Sequence, residues 1–346
     1  MLRLPDAWTW DFWLADTGKE FHLFFLRASR ALGAPDRRHF RASVGHAVSA
    51  DLYNWNLLPD ALVPGDRPAF DDIATWTGSV VRGPNGLWYM YYTGISAEDS
   101  GLVQRIGLST SEDLIRWNRH PEFNVLGADS RWYEKLGDSS WTSEAWRDPW
   151  VFWNPADQMW HMFVTARSSS GDEDNRGVVG HLQSDDLVRW EATAPISQPN
   201  CGFGVLEVMQ VEMVEGRSVL LFSCPHPELS ASKREKETRG GIWVAVGDDL
   251  IGGFDIANSH LLSDDRLYSG RLVRNRSGKW MLLAFHNQDA NGEFVGEVSD
   301  PIPVTWDDNG HLVLVDSGPS LQLVEDTSAA QISEMRSYLP PKAARA

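Results

Sequence analysis

One seven-residue pattern, Ser-x-Asp-Leu-x-x-Trp, occurs three times in the chain, at 49–55, 111–117 and 184–190. A weaker echo, Gly247-Asp248-Asp249-Leu250, follows. The four aspartates, Asp51, Asp113, Asp186 and Asp249, stand 62, 73 and 63 residues apart. Self-similarity at such intervals is the signature of stacked supersecondary units, none of which can bury its apolar face alone. Inside the pattern, the Ser hydroxyl and Asp carboxylate suit the capping of backbone donors in a tight turn, with the Trp packing at the next strand.

A second repeat interleaves with the first. Apolar runs, broken by a turn and resumed as aromatic-rich strands, occupy residues 10–26, 78–93, 148–165, 207–223 and 269–285. Their turns include Asp16-Thr17-Gly18-Lys19, Gly83-Pro84-Asn85-Gly86 and Arg276-Ser277-Gly278-Lys279. Short runs joined by such signals are β-hairpins. Five hairpins divide the chain into five units of about 60–70 residues. Helical periodicity is confined to 327–338. The reading is an all-β protein: a five-bladed β-propeller over residues 1–325, with no C-terminal β-sandwich and a tail over 326–346. A two-sheet sandwich would not require repeats in register. An open last blade invites edge-to-edge pairing, so a strand from the other terminus is expected to close the ring.

The 346 residues carry 31 Lys plus Arg against 48 Asp plus Glu, a net charge of −17. That balance argues against nucleic acid and anionic membranes as partners, since both call for clustered positive charge. No apolar run reaches the roughly 18 residues of a membrane span. Residues 1–10 lack the apolar stretch and small-residue site of a secretion signal. Cys201 and Cys224 are too few for a disulfide framework and read as buried thiols of a cytoplasmic protein. The charge run 233–237 reads as a solvated loop. The 17 Trp outnumber the 14 Phe and 7 Tyr. A flat apolar face with one donor suits a core and also suits the wall of a sugar site.

In a propeller the first strand of each blade lines the central channel. Three acids fall at the first strand of their repeats: Asp11 in Trp10-Asp11-Phe12-Trp13, Asp148 in Arg147-Asp148-Pro149, and Glu207 in Leu206-Glu207-Val208. Charge in such apolar settings is costly without a partner or a task. On a regular strand Arg147 and Asp148 point to opposite faces, which argues against a simple ion pair between them. Each acid alone has an ordinary structural explanation, as a cap, an ion pair or a surface residue. Their recurrence at one place in three repeats points to chemistry. Two carboxyls across a channel are what glycoside hydrolysis requires: one attacks carbon or activates water, and the other protonates the leaving oxygen. The chain has no G-x-S-x-G, P-loop or H-E-x-x-H pattern. Its ten His are scattered, and only His226 lies close to a Cys, so no metal or cofactor is expected. His46 and His286 read as hydrogen-bonded strand residues.

Residues 45–55, Gly-His-Ala-Val-Ser-Ala-Asp-Leu-Tyr-Asn-Trp, resemble the G-H-A-x-S-x-D-L-x-x-W segment of glycoside hydrolase family 32, the invertases, levanases and inulinases. Thr77-Gly78-Ser79 is similar to the family's S-G-S motif, and Tyr91-Tyr92-Thr93-Gly94 with the later Gln104 to its Y-T-G strand and following glutamine. Arg147-Asp148-Pro149 matches R-D-P in full, and Glu207 stands where the glutamate of the E-C motif belongs. The first motif departs: W-M-N-D-P-N-G is here Trp8-Thr9-Trp10-Asp11-Phe12-Trp13-Leu14, and Val208 replaces the Cys after Glu207. The resemblance covers about residues 8–315 and extends to the wider clan with families 43 and 68.

It implies a β-fructofuranosidase-type hydrolase of a non-reducing terminal furanoside, acting by a retaining double displacement on a sucrose-like or small oligosaccharide substrate. Asp11 would be the nucleophile, Glu207 the general acid/base and Asp148 the acid that holds sugar hydroxyls. Arg147 would tether the carboxylates, and Trp10, Trp13, Trp76 and Gln104 would shape the sugar subsite. Two alternatives stand beside it: an inverting arabinofuranosidase or xylosidase resembling family 43, and a carbohydrate-binding propeller without catalysis. Oligomeric state is not legible in the sequence.

Overall fold

The computed structural model describes residues 1–315. Among them the strands form five antiparallel sheets arranged as the blades of a propeller. Blade one holds β1 (Ala7–Asp16), β2 (Phe21–Ser29), β3 (Ser43–Ser49) and β4 (Asn56–Leu62). Blade two holds β5 (Ala74–Arg82), β6 (Trp88–Ile95), β7 (Arg105–Ser111) and β8 (Asn118–Arg119). Blade three holds β9 (Trp146–Asn154), β10 (Met159–Arg167), β11 (Gly177–Ser184) and β12 (Glu191–Thr193). Blade four holds β13 (Glu207–Val214), β14 (Arg217–Cys224), β15 (Gly241–Gly247) and β16 (His260–Asp264). Blade five holds β17 (Leu267–Arg274), β18 (Trp280–Gln288), β19 (Phe294–Val298), β20 (Ile302–Trp306) and β21 (Leu312–Leu314). The five hairpins expected from the sequence are the first two strands of each blade. No β-sandwich follows the fifth blade among the described residues. The helical cue at 327–338 and the proposed boundary at 325 lie outside them.

Each blade buries both faces, and this accounts for the near-continuous apolar runs. In β1 and β2, Trp13 and Phe24 face Met90 and Tyr92 of blade two, while Phe12, Leu23 and Phe25 face Leu283 and Val298 of blade five. Adjacent strand residues point opposite ways, so one strand feeds two cores. The same holds around the ring. Tyr91, Trp146 and Met162 fill the space between blades two and three, and Phe163, Met209 and Phe222 that between three and four. Leu221, Ile242 and Leu282 close the set between four and five.

The Ser-x-Asp-Leu-x-x-Trp pattern follows the third strand of blades one to three and works as its composition suggests. Ser111 Oγ accepts from the Leu114 amide at 2.8 Å, and Asp113 Oδ1 accepts from the Ile115 and Arg116 amides at 2.8 Å each. The same bonds recur at Ser49 and Asp51 and at Ser184 and Asp186. The leucines take left-handed backbone, with φ of 72°, 65° and 66° at Leu52, Leu114 and Leu187. That conformation costs an L-residue energy, and each leucine side chain is fully buried. The capping bonds and the buried side chain together offset the strain.

The ring does not close by a borrowed strand. All strands of blade five come from the C-terminal side. The N-terminus contributes one bridge, Leu2 to Val298, with amide-to-carbonyl distances of 2.9 and 3.0 Å. Blade five completes itself because β18 is long enough to pair β19 along one part and β20 along another, leaving the N-terminus only a pin to provide.

The turn bonds hold the Asp113 carboxyl below the usual carboxylate range, chiefly through the Arg116 and Ile115 amides. A depressed folded-state pKa contributes stability that is present above the unfolded value and lost as pH falls. Asp113→Ala is therefore expected to lower the unfolding free energy by about 1 kcal/mol at pH 7 and by less at pH 3, as read by urea denaturation at both pH values.

Candidate active site

The first strand of every blade breaks register with its neighbour at the same level. The breaks fall between Trp10 and Phe12 in β1, Trp76 and Gly78 in β5, Glu207 and Gln210 in β13, and Tyr268 and Arg271 in β17. In β9 the break falls between Arg147 and Trp150, opposite the step from Phe163 to Thr165. These are β-bulges, which leave a residue unpaired and re-aim its side chain. The residues set free are Asp11, Thr77, Asp148, Val208 and Ser269, each followed in blades three to five by a second unpaired residue. Asp148, Val208 and Ser269 lie in left-handed backbone, at φ of 58°, 52° and 51°.

The bulges bond to one another across blades. Asp11 Oδ1 accepts from Ser269 Oγ at 2.5 Å, and its Oδ2 accepts from Thr77 Oγ1 at 2.6 Å. Asp148 Oδ2 accepts from Thr165 Oγ1 at 2.8 Å and from the Val208 amide at 3.3 Å. Glu207 Oε1 accepts from Arg147 Nη2 at 2.7 Å, and Oε2 accepts from the Tyr268 hydroxyl at 2.5 Å. Arg147 Nε lies 3.5 Å from Asp148 Oδ2. Arg147 and Asp148 are thus paired, contrary to the strand alternation argument. The left-handed turn at Asp148 swings its carboxyl to the side its neighbour occupies. Asp11, Asp148 and Glu207 converge at one end of the channel.

The surrounding motif residues set this geometry. Thr93 Oγ1 donates to the Thr77 carbonyl at 3.1 Å and accepts from the Asp148 amide at 2.9 Å, tying two bulges together. Ser79 Oγ accepts from the Val151 amide at 3.1 Å. Gly78 sits so close to β6 that a Cβ there would lie 2.1 Å from the Tyr91 carbonyl oxygen. Gln104 is buried, and its Oε1 accepts from Arg147 Nη1 at 2.9 Å, so it orients the arginine.

Half-buried Trp76 flanks the site, while Trp10 is 2% exposed and packs in the core behind it; each is set edge-on to His39 at 6.1 Å between ring centres. Trp76 Nε1 donates to the His39 carbonyl at 2.7 Å. Trp13 does not join them. It is completely buried and stacked on Phe24, because the bulge at Asp11 returns it to the core between blades.

Several residues at the site were not singled out from the sequence. Thr77 is marked only as the first residue of the Thr77-Gly78-Ser79 motif and Ser269 only as the start of a hairpin, and the shared register of the hairpins is what places both at the site. Arg38 and His39 come from the segment Pro35–Arg41, a basic cluster in an acidic chain. Arg38 lies over the Phe294 and Trp10 rings at 3.9 and 5.3 Å. Glu228 sits near Glu207 and Arg147. Lys233, read as solvated, instead covers the Phe203 and Trp243 rings at 4.3 and 4.7 Å, its stem lying along apolar surface. His226 bonds the Glu237 carbonyl at 3.1 Å. Among the described residues no group of three or more His, Cys, Asp or Glu is placed to hold a metal ion.

Burial dominates the electrostatics. It raises the Asp11 carboxyl pKa, while the Ser269 and Thr77 hydroxyls pull it back down. It pushes Asp148 up to about 7, against the attraction of Arg147, and Glu228 also to about 7, helped by the charge of Glu207. Burial weakens the Arg147 cation, but Glu207 and Asp148 more than compensate and hold it charged. His39 is pressed down to about 3 by burial and by Arg38 and Arg147, so its imidazole is neutral.

Residues 14–292 match the model of the glycosyl hydrolases family 32 N-terminal domain. The chain belongs to glycosyl hydrolase family 32. The match begins just past Asp11. Among family 32 relatives, an insoluble-isoenzyme beta-fructofuranosidase of Arabidopsis thaliana is 28% identical over 172 residues, 49% of this chain and 28% of the relative. Beta-fructofuranosidase 1 of Zea mays is 32% identical over 169 residues, 47% of this chain and 23% of the relative. The matched region thus spans about a quarter of the length of these relatives. An inulosucrase from Halalkalicoccus jeotgali bound to kestose superimposes with a TM-score of 0.74 at 20% identity, covering 91% of this chain and 90% of that one.

A buried carboxyl with a raised pKa holds its proton more tightly in the folded chain than in the unfolded one. Its contribution is therefore most favourable at low pH and is lost as pH rises from about 4 through 7. Asp148→Asn removes the buried charge. The variant is expected to be more stable than the wild type at pH 8 by roughly 1–4 kcal/mol, with the advantage gone at pH 4, as read by denaturation at both pH values.

Proposed function

We propose that this family 32 chain hydrolyses a non-reducing terminal β-fructofuranoside, of sucrose or a small fructan, by a retaining double displacement. The observation that carries the reading is the caging of Asp11. Two hydroxyls from the flanking blades hold both its oxygens, so the carboxylate cannot turn, and one lone pair on each oxygen is left for the substrate. A fixed carboxylate facing a second carboxyl is a preorganised nucleophile.

In this reading the Asp11 carboxylate attacks the anomeric carbon as the bond to the leaving oxygen breaks, and Glu207 gives that oxygen its proton. Glu207 then takes a proton from water, whose oxygen displaces Asp11 from the same carbon. Asp148, gripped by Thr165 and the Val208 amide, accepts from sugar hydroxyls and gains most as charge develops on the ring. Arg147 holds Glu207 in place, with Gln104 behind it. Trp76 and the neutral edge of His39 wall the subsite, with Trp10 packed behind them. The names of the plant relatives and the kestose held by the inulosucrase support a fructosyl substrate. The free thiols Cys201 and Cys224 support a reducing, cytoplasmic setting.

Incubation with sucrose, kestose, inulin and aryl β-fructofuranosides, followed by proton NMR of the first product, tests the reading. Release of fructose with retained anomeric configuration is expected, together with any fructosyl transfer products. An inverted first product removes the double displacement. Activity on arabinofuranosides alone removes the fructosyl reading.

Asp11→Asn is expected to lower kcat by about 1,000-fold or more on every substrate. Glu207→Gln should cost a similar factor on sucrose and much less on an aryl fructoside, whose leaving group needs no proton. Steady-state kinetics on the two substrates separates the roles.

A further inference from the structure

One cation lies beneath the carboxyls and has no part in the steps above. Arg271 follows the bulge of β17 and is 1% exposed. Its Nε donates to the Phe12 carbonyl at 3.1 Å, and its Nη1 donates to the Val208 and Met209 carbonyls at 3.0 and 2.7 Å. Phe12 directly follows Asp11, and Val208 and Met209 directly follow Glu207. A single guanidinium from blade five therefore bonds the main chain just past both of these carboxyls, in the blades on either side of its own. Residues 208 and 209 have no ladder partner on β14, so the arginine satisfies carbonyls that the bulge sets free.

Its charge is placed with equal economy. Asp11 and Asp148 favour its charged form, while burial brings it down to about 10. The groups facing these two acids are Arg38 from the 35–41 segment, Arg147 from β9, Glu207 from β13 and Arg271 from β17, besides the acids themselves. Arg38 carries charge beside Asp11 at the mouth, and Arg147 is engaged by Glu207 and Asp148. Arg271 is the cation that interacts with Asp11 and Asp148 together. Arg271 also lines, with Leu14, Trp150, Glu212 and Arg274, a cavity of about 230 Å³.

We propose that Arg271 is a positioning residue: by clasping the backbone after Asp11 and Glu207 it fixes the separation of these two carboxyls, and its charge favours the ionised forms of Asp11 and Asp148. The effect on turnover rests on the glycosidase reading, whereas the backbone clasp rests on the geometry alone and the effect on ionisation stands without that reading.

Arg271→Gln and Arg271→Lys test it, each first checked for a cooperative urea transition. Gln removes the charge. Lys keeps the charge but lacks the fork that reaches three carbonyls. In Arg271→Gln the acid limb of the kcat/KM profile should move up by about one pH unit. Its kcat should fall about 100-fold with KM nearly unchanged, since a displacement of this kind costs chemistry rather than binding. In Arg271→Lys the acid limb should return to its wild-type position while kcat stays about 10-fold low. Carbon-13 titration of the aspartate carboxyls in wild type and Arg271→Gln reads the same shift without turnover. An acid limb and carboxyl titration unmoved in Arg271→Gln, or wild-type kcat in Arg271→Lys, overturns the proposal. If the Gln variant does not fold, the kcat of the Lys variant decides. A wild type inert on every furanoside sinks the glycosidase reading instead and leaves the carbon-13 titration to judge Arg271.

Discussion

Each inner strand slips out of register with its neighbour at one common level, and the site depends on that slip. A regular strand would send Asp11 and Asp148 into alternating faces between the blades, where five apolar cores are waiting. The bulges lift these residues out of the ladder and turn them toward the axis. They also free amides and carbonyls, which the next blade's bulge then uses, as when the Val208 amide reaches Asp148. The propeller supplies five equivalent positions around a ring. The bulges make those positions touch.

The charges at this ring are held by direct bonds more than by solvent. Asp148 is 3% exposed and Arg147 is enclosed by Glu207, Asp148 and Gln104. Removing Arg147 would leave Glu207 and Asp148 without their shared cation, which is costly. A site of this kind is preorganised at the expense of stability, and the large apolar cores between blades are what allow the fold to carry it. The neutral His39, placed against two tryptophans and near two arginines, adds a polar edge without adding another charge.

Much of this was legible in the sequence, for definite reasons. The hairpins were visible because both faces of each blade are apolar, and the capping turns because Ser, Asp and Leu are each required by one feature of the turn. The acids stood out because charge in an aromatic strand is unusual. What escaped detection follows from the same bulges. Alternation separated Arg147 from Asp148, whereas the left-handed backbone at Asp148 joins them. The family resemblance put Trp13 at the site, whereas the extra residue at Asp11 turns it inward. Ser269 carries no charge and draws no notice until its register is known, and Thr77 is marked only by its motif. The ring closure at Leu2 rests on how β18 divides its length between two partners, which periodicity does not encode.

The cage around Asp11 joins residues 258 positions apart in the chain. On a ribosome the N-terminal end emerges first, at about 5–20 residues per second. Asp11 is therefore made before Ser269, and stays without it until the first strand of the fifth blade has been synthesised, on the order of 10 seconds or more later. No chain that stops short of the fifth blade can possess the site, however well its early blades fold. Reactivity in this molecule arrives last, as a property of the finished circle.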